Sequence, residues 1–331
     1  MKAKQFKLNV GYSLLAVVVI IMALLPVIGV RWYVLHVLFV FFVYLALANM
    51  WNLLAGYSGL VSLGQPAFMG IAGYTVAMLL WFYNIPLYLA TLAACVVATL
   101  FAAILSIPLF RMRGLYFSIG TLLLNEICRV WFNWWRPIPV PGAPVGGGAG
   151  FGIVSGLSPT SLYYLALAVG IVSILLMRFI LKSKLGAGLM AIRDNEKAAA
   201  TCGINVFRCK LYSFLIATFF TGLASCVFYF FQGHIEPKGA FSITWLNVML
   251  MAVIIGGIST EEGPIVGTAI VVLLEQILPG YAQYSPLILG ILLVIVITVT
   301  PPGIIGLLRK TRTYDTLLRY LSSTWTKSGD K

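Results

Sequence analysis

The segment 186–209, "GAGLMAIRDNEKAAATCGINVFRC", lies between two long apolar runs and is far more polar than either. Within it, residues 193–197 form the run "RDNEK", although only 9% of the 331 residues are charged. A short polar segment with helix-forming residues, placed between two apolar runs, is typical of a loop that joins two membrane spans. The flanking runs therefore decide the fold.

The composition favours a membrane protein. Hydrophobic residues make up 61% of the chain, and the mean hydropathy is +1.00, whereas soluble domains are about half apolar. A soluble protein of this composition would expose large apolar patches. A membrane-spanning helix needs roughly 20 apolar residues, and the sequence supplies about ten such runs. They lie near 10–30, 33–55, 66–83, 86–110, 115–135, 161–181, 209–232, 245–260, 263–279 and 285–308.

These runs are continuous rather than alternating, which favours helices over the strands of a barrel. We therefore predict an all-α polytopic membrane protein of about ten transmembrane helices, with short or broken helices near 56–74 and 256–269. The first run follows the basic stretch "MKAKQFK" but lacks a clear cleavage site, so we predict that it is retained as a helix rather than removed as a signal peptide.

The net charge of +13 is explained by membrane topology rather than by nucleic-acid binding. With ten spans and a cytoplasmic N-terminus, most lysines and arginines fall in cytoplasmic segments, including the tail 309–331. The outer loops hold only Arg31, Arg136 and Lys238. This asymmetry follows the positive-inside rule. Attraction of the basic cytoplasmic segments to anionic lipid supports the same orientation. We predict that both termini are cytoplasmic and that the chain binds membrane lipid and no nucleic acid.

Two segments carry glycine and proline within apolar surroundings. The segment 56–74, "GYSGLVSLGQPAFMGIAGY", has five glycines and one proline, and 256–269, "GGISTEEGPIVGTA", has a similar composition. Irregular backbone at membrane depth persists only where protein or a water-filled cavity covers it. Two interpretations remain open: close helix packing, or a broken helix that lines a substrate path. The candidate path residues are Ser58, Ser62, Gly64, Gln65 and Glu126.

Glu126 and Arg129 are three residues apart on one face of the fifth predicted span, a spacing that suits local pairing. The alternative is that Glu126 and Arg129 line the substrate path.

The loop 136–159 is rich in proline and glycine, so it is either a connector or a contact surface for a partner from outside. The two histidines and five cysteines show no metal-ligand spacing, and we predict no metal or other cofactor. The sequence has no nucleotide-binding or hydrolase motif.

The polar segment has clear helix-boundary residues. Asp194 or Asn195 can cap a helix, and Glu196 then falls in the first turn, where the helix dipole favours negative charge. Gly203 suits the position just after the helix, and Asn205 can cap the next span. We predict a short cytoplasmic surface helix of about eight residues, which is marginal alone and therefore needs a partner surface.

Four segments of the chain, in register, resemble one family: the permease subunits of branched-chain amino acid ABC importers of the LivM type. The segments are "NLLAGYSGLVSLGQPAFMGIAGYTVAML" (52–79), "RMRGLYFSIGTLLLNEICR" (111–129), "AIRDNEKAAATCGINVFRCKLYSFLIATFFTGLA" (191–224) and "MAVIIGGISTEEGPIVGTA" (251–269). The resemblance implies a single permease domain over 1–331 in a bacterial or archaeal cytoplasmic (inner) membrane, with 182–210 as its cytoplasmic coupling segment.

The resemblance also implies partners. Such a permease pairs with a second, homologous permease, two cytoplasmic ATPase subunits drive it, and an extracytoplasmic solute-binding protein delivers the substrate. The chain itself is then not an enzyme. The residues that the resemblance assigns to ATPase coupling are Arg193, Asp194, Asn195, Glu196, Ala198, Ala199 and Gly203.

The chain departs from the family pattern at Gln65-Pro66 and at Glu261-Glu262. The first departure bears on the substrate and the second on the ATPase contact. Related permeases also handle amides, urea and aromatic acids, so the substrate class stays open. Alternatives outside this family are a self-sufficient secondary transporter or channel and a membrane scaffold. The sequence offers little of the ion site or proton relay that a secondary transporter needs.

Overall fold

The computed structural model of the chain describes residues 19–135 and 146–277, together with 290, 291, 294, 298 and 303–310. These residues are mostly helical. The helices are α1 (Trp32–Asn52), α2 (Gln65–Tyr83), α3 (Leu87–Leu109), α4 (Leu115–Trp134), α5 (Pro159–Lys182), α6 (Lys184–Asp194), α7 (Glu196–Thr201), α8 (Val206–Gln232), α9 (Pro237–Ala240), α10 (Ile243–Gly256), α11 (Gly263–Ile277) and α12 (Gly303–Lys310). Residues 19–24 are also helical.

Four short elements complete the described fold. A π-helical turn (Leu53–Tyr57) extends α1, and a 3₁₀ turn (Gly147–Ala149) precedes strand β1 (Phe151–Gly152). Strand β1 pairs antiparallel with β2 (His234–Ile235). The loop 136–159 is thus partly ordered by a β-ladder with the connection after α8, while 136–145 lie outside the described residues.

Six helical stretches in the described residues are long and apolar enough to cross a membrane: α1 with its π-turn, α2, α3, α5, α8, and α9 together with α10. The chain is therefore a multi-pass membrane protein. Helices α4 and α11 coincide with two further predicted spans, but α4 is less apolar than the six and α11 is shorter. The predicted count of about ten is not confirmed. Most of the runs 10–30 and 285–308, and the tail beyond 310, fall outside the described residues.

The first helix break is narrower than predicted. Helix α2 is regular from Gln65 onward, so the irregular backbone expected over 56–74 is confined to 56–64, where the end of the π-helical turn leads into a loop. Within α2, a Cβ on Gly70 would overlap the ring of Phe241, and one on Gly73 would lie 2.7 Å from the Tyr229 ring. Both glycines therefore permit close packing.

The second break is confined to 257–262, between α10 and α11. Gly257 has φ +125°, and Ser259 adopts φ +62°, which is uncommon for a residue with a side chain. A Cβ on Gly256 would overlap the carbonyl oxygen of Gly263, so α10 and α11 approach through glycine backbone at this turn. The predicted break near 256–269 is thus present, but over a shorter stretch.

Helix α1 forms the centre of the bundle and packs against α5, α8, α10 and α11. Its buried side chains include Phe39, Val43, Leu47 and Trp51. Helix α2 packs between α3 and α8. Both breaks lie at one end of the bundle beside α6 and α7, which we call the α6–α7 end, and the strands lie at the opposite β-ladder end.

Candidate functional site

Side-chain caps set the ends of α6 and α7. The Ser183 hydroxyl accepts a hydrogen bond from the amide of Gly186 at the start of α6 (3.4 Å). Asn195 Oδ1 accepts from the amide of Ala198 (3.1 Å), so Asn195 is the cap of α7. The predicted alternative cap, Asp194, is instead the last residue of α6. Such caps satisfy amide groups that have no partner within the helix.

The C-terminal boundary of α7 also follows the prediction. Gly203 has φ +84°, the left-handed conformation that glycine adopts after a helix. Asn205 Oδ1 accepts from the amide of Arg208 (3.0 Å) and caps α8. Helix α7 spans six residues, shorter than the eight or so predicted. The prediction missed α6, an 11-residue helix, although Ser183 was available as a signal for its start.

Helix α6 is anchored to the bundle, whereas α7 projects from it. Leu189 of α6 packs in a buried cluster with Leu53 and Tyr57 of the π-turn and with Met177 and Ile180 of α5. In α7, only Ala199 is buried. The other predicted coupling residues of α7 and its flanks are exposed: Asn195, Glu196, Ala198 and Gly203.

The base of α7 is tied to α8 by an ion pair. Glu196 Oε2 lies 2.8 Å from Lys210 Nζ. The Glu196 side chain is 45% exposed and the Lys210 side chain 12%, so the pair is accessible from one side. Glu196 thus has a partner within the chain, which the sequence reading did not anticipate.

Arg193 connects the α6–α7 segment to both helix breaks. Its Nη1 donates to the carbonyl oxygen of Gly56 (3.2 Å), and its Nε and Nη2 donate to Asp194 Oδ1 (3.1 and 2.9 Å). The hydroxyl of Ser259 donates to the same Gly56 carbonyl (2.6 Å). One carbonyl of the first break therefore accepts hydrogen bonds from the α6–α7 segment and from the second break.

Asn52 adds two hydrogen bonds between the end of α1 and the second break. Its Oδ1 accepts from the amide of Ser259 (3.0 Å), and its Nδ2 donates to the carbonyl oxygen of Thr260 (3.0 Å). We refer to Asn52, Gly56, Arg193, Ser259 and Thr260 as the junction. A Cβ on Gly56 would overlap Asn52 Oδ1, so glycine is needed for this close approach. Asn52 is fully buried.

The sequence reading missed Asn52, Ser259 and Thr260. A signal was present, because Asn49 and Asn52 are amides one helical turn apart in an otherwise apolar run. Each amide has a defined partner in the structure, since Asn49 Nδ2 donates to the hydroxyl of Ser173 (3.0 Å). Buried amides of this kind are usually hydrogen-bonded.

Four of the five predicted path residues lie close together in the chain and are buried: Ser58, Ser62 and Gly64 in the first break, and Gln65 at the start of α2. The Ser58 hydroxyl donates to the carbonyl oxygen of Leu54 (2.7 Å). A Cβ on Gly64 would overlap the carbonyl oxygen of Thr121, so Gly64 is a packing contact with α4.

Gln65 lies in a buried polar cluster between α2 and α8. Its Oε1 accepts from the hydroxyl of Thr221 (3.2 Å). Among the described residues, Gln65 Nε2, the Ser62 hydroxyl and the Thr218 hydroxyl are buried without a hydrogen-bond partner. Unpaired buried polar atoms are uncommon and costly, and five further such atoms lie elsewhere in the described residues.

The fifth predicted path residue, Glu126, lies elsewhere. It is on the outward face of α4, with a side chain 44% exposed, and it pairs with Arg129. Arg129 Nε donates to both carboxylate oxygens (2.9 and 3.0 Å), which confirms the predicted local pairing. The structure does not bring Glu126 into the buried cluster around Gln65.

Both departures from the family pattern have local explanations. Pro66 is in the first turn of α2, where a missing amide hydrogen costs nothing. Glu261 Oε2 lies 3.4 Å from Arg178 Nε, so the second break is also tied to α5.

A pocket of about 450 Å³ lies at the β-ladder end between α1, α8 and α11. Its lining includes His36, Tyr44, Phe228 and Glu275. His36 stacks on Phe231, with ring centroids 5.0 Å apart.

Comparison with known proteins finds permease proteins with similar sequences. The chain is 28% identical over 292 residues to the high-affinity branched-chain amino acid transport system permease protein LivM of Escherichia coli K12, covering 81% of this chain and 68% of the relative. The corresponding protein of Salmonella typhimurium gives the same values.

A probable branched-chain amino acid transport permease protein LivH of Methanocaldococcus jannaschii is 26% identical over 134 residues, covering 38% of this chain and 42% of the relative. No solved structure matches the chain. The family described as the permease component of branched-chain amino acid transport systems matches residues 33–297. Because this match spans most of the sequence, the chain belongs to that family of ABC transporter permeases.

Proposed function

We propose that the chain is the membrane-spanning permease subunit of an ATP-driven importer for branched-chain amino acids or related small polar or amphipathic solutes. Family membership supports the transport role. The junction carries the proposal of an external motor, because it joins an exposed, capped helix to both breaks in the spans through Arg193 and Gly56.

The proposed partners are a second homologous permease, two cytoplasmic ATPase subunits and an extracytoplasmic solute-binding protein. The proposed location is the cytoplasmic membrane of a bacterium or archaeon, with both termini in the cytoplasm. The distribution of lysine and arginine supports this orientation. The α6–α7 end then faces the cytoplasm, and the β-ladder end faces outward, where a binding protein would dock.

In the proposed mechanism, α7 docks in a groove of an ATPase subunit, a helix-in-groove contact. This contact supplies the partner surface that a six-residue helix needs for stability. ATP-driven closure moves α7 and the anchored α6 as one body. The movement reaches the two breaks through the junction, and the spans alternate the access of a site near the membrane midplane.

We further propose that the first break lines the substrate path in another state of the cycle, through Ser58, Ser62, Gly64 and Gln65. These residues are buried in the described conformation, so the path is closed there. The unpaired polar atoms of Gln65 and Ser62 support this proposal, because opening the bundle would give them a partner in water or substrate.

Replacing Gln65 with leucine tests the path proposal. The change removes a buried donor, Gln65 Nε2, that has no partner among the described residues. Burying such an unpaired donor normally costs about 1–3 kcal/mol, so its removal relieves that cost. We therefore expect unchanged or higher thermal stability together with slower uptake, measured on the same purified complex. Thr221→Val is the matched control for the lost hydrogen bond to Gln65, and we expect it to have the smaller effect on uptake. Unchanged uptake kinetics in Gln65→Leu would show that the break serves packing alone.

The proposed function is tested by reconstitution into vesicles. The chain, its partner permease and the ATPases, with the binding protein outside, should accumulate radiolabelled leucine only when ATP is inside. Vesicles without the ATPases should show no accumulation. Accumulation by this chain alone, driven by an ion gradient, would instead establish the secondary transporter.

A further inference from the structure

Helix α4 carries an ion pair on an outward surface. The side chains of Glu126 and Arg129 are 44% and 42% exposed. Around them the same surface is apolar, with Ile119, Leu123 and Ile127 all exposed. The opposite face packs into the bundle and includes Thr121 and Asn125, among others.

With α4 spanning the membrane as the sequence predicts, the ion pair lies at membrane depth. Near the start of α4, the Ser118 hydroxyl donates to the carbonyl oxygen of Val61 at the α6–α7 end (2.7 Å). Beyond the other end of α4, Trp135 packs against Phe151 of the β-ladder. Helix α4 thus runs the length of the bundle, and Glu126 is about 16 Å along it from Leu115. That position is close to the middle of a hydrocarbon core of about 30 Å.

Exposing this pair to lipid would be energetically costly. Charged groups at membrane depth therefore face protein or a water-filled cavity. The pair is also not saturated. Its hydrogen bonds use Nε and Nη2 of Arg129, whereas a guanidinium group has five N–H donors. An ionised carboxylate likewise accepts about four hydrogen bonds.

We infer that the outward face of α4 forms a second part of the substrate path, separate from the first break, and that it binds the charged head of a zwitterionic α-amino acid. This inference rests on the proposed function. Arg129 receives the substrate carboxylate through its free N–H groups, and Glu126 accepts from the substrate ammonium group. The apolar side chains of Ile119, Leu123 and Ile127 contact an aliphatic substrate side chain.

This arrangement selects a substrate class within the family. A zwitterion matches both members of the pair and leaves the net charge of the site unchanged. Neutral amides and urea carry neither charge, and carboxylic acids without an amino group match Arg129 alone. The structure thus favours an amino acid over the other solutes that related permeases handle.

The test is direct binding of radiolabelled leucine to the purified complex of both permeases and ATPases in nanodiscs, without the binding protein. Two competitors lack one charge each: 3-methylbutylamine has no carboxylate, and 4-methylpentanoate has no ammonium group. Arg129→Gln should weaken leucine binding about 10- to 100-fold and abolish the preference for leucine over the amine. Glu126→Gln should abolish the preference for leucine over the acid. Arg31→Gln, which removes an exposed arginine before α1, is the control and should change neither preference.

If Arg129→Gln and Glu126→Gln each weakened the binding of leucine, the amine and the acid by the same factor, the inference would be overturned. The pair would then be assigned to subunit packing. If a neutral variant fails to assemble, Arg129→Lys keeps the charge, and it should retain the preference for leucine over the amine. Loss of that preference in an assembled Arg129→Lys complex would contradict a role in carboxylate recognition. Failure of the wild-type importer to transport leucine would instead refute the proposed function.

Discussion

Replacing Arg193 with glutamine is expected to reduce ATP-driven uptake about tenfold while the ATPase subunits still bind and hydrolyse ATP. Arg193 donates to the Gly56 carbonyl of the first break, and Ser259 of the second break donates to the same carbonyl. Glutamine is too short and uncharged to maintain this contact. The α6–α7 segment would still dock, but less of its movement would be transmitted to the breaks.

The measurement is the ratio of leucine transported to ATP hydrolysed in reconstituted vesicles. Arg208→Gln is the matched control, because Arg208 is an exposed arginine at the start of α8 in the same segment. We expect the ratio to fall in Arg193→Gln and to stay near the wild-type value in Arg208→Gln. Equal ratios in wild type and Arg193→Gln would exclude the junction as the transmission route.

Adding one methyl group at Gly267 is expected to destabilise the whole protein. Gly267 of α11 lies so close to α10 that a Cβ would overlap the carbonyl oxygen of Ala252. Since that atom is backbone, the two helices must separate, and overpacking of this kind costs about 1–3 kcal/mol or more. Gly267→Ala should therefore lower the thermal unfolding midpoint of the purified protein by on the order of 5 °C.

Gly152→Ala provides the matched control, because it makes the same substitution where no other atom lies within 4 Å of the added Cβ. Its midpoint should match that of the wild type. Equal midpoints for the two variants would mean that α10 and α11 do not approach as closely as the structure has them.

Features that depend on local sequence were predictable. The caps by Asn195 and Asn205 and the glycine after α7 follow from side-chain chemistry within three residues, and the structure has all of them. The apolar runs likewise predicted α1, α2, α3, α5 and α8 to within about three residues at most ends, because bilayer thickness sets a minimum length that the sequence must satisfy.

Features that depend on contacts between distant residues were not predictable from periodicity. Asn52 and Thr260 are 208 positions apart, yet they share a hydrogen bond. Composition indicated two breaks, but it could not indicate that they meet at one carbonyl group. The same holds for Gln65, whose partner Thr221 is 156 positions away.

The sequence also left the character of α4 ambiguous. Its apolar residues predicted a span, and the structure has a helix there. Glu126 and Arg129 predicted a pair, which is present in the structure. Which face the pair occupies depends on how α4 is rotated against α2. That rotation is fixed by contacts such as the hydrogen bond from the Leu63 amide to Thr121 (3.0 Å).

The most direct test of the external motor is cross-linking from α7 in the assembled complex. A single cysteine at the exposed position Lys197, in a chain with its other cysteines replaced, is treated with a short bifunctional reagent, and the products are identified by mass spectrometry. We expect a covalent product with an ATPase subunit whose yield changes when ATP is bound. A product with the extracytoplasmic binding protein would place α7 on the outer side of the membrane and contradict both the orientation and the coupling role.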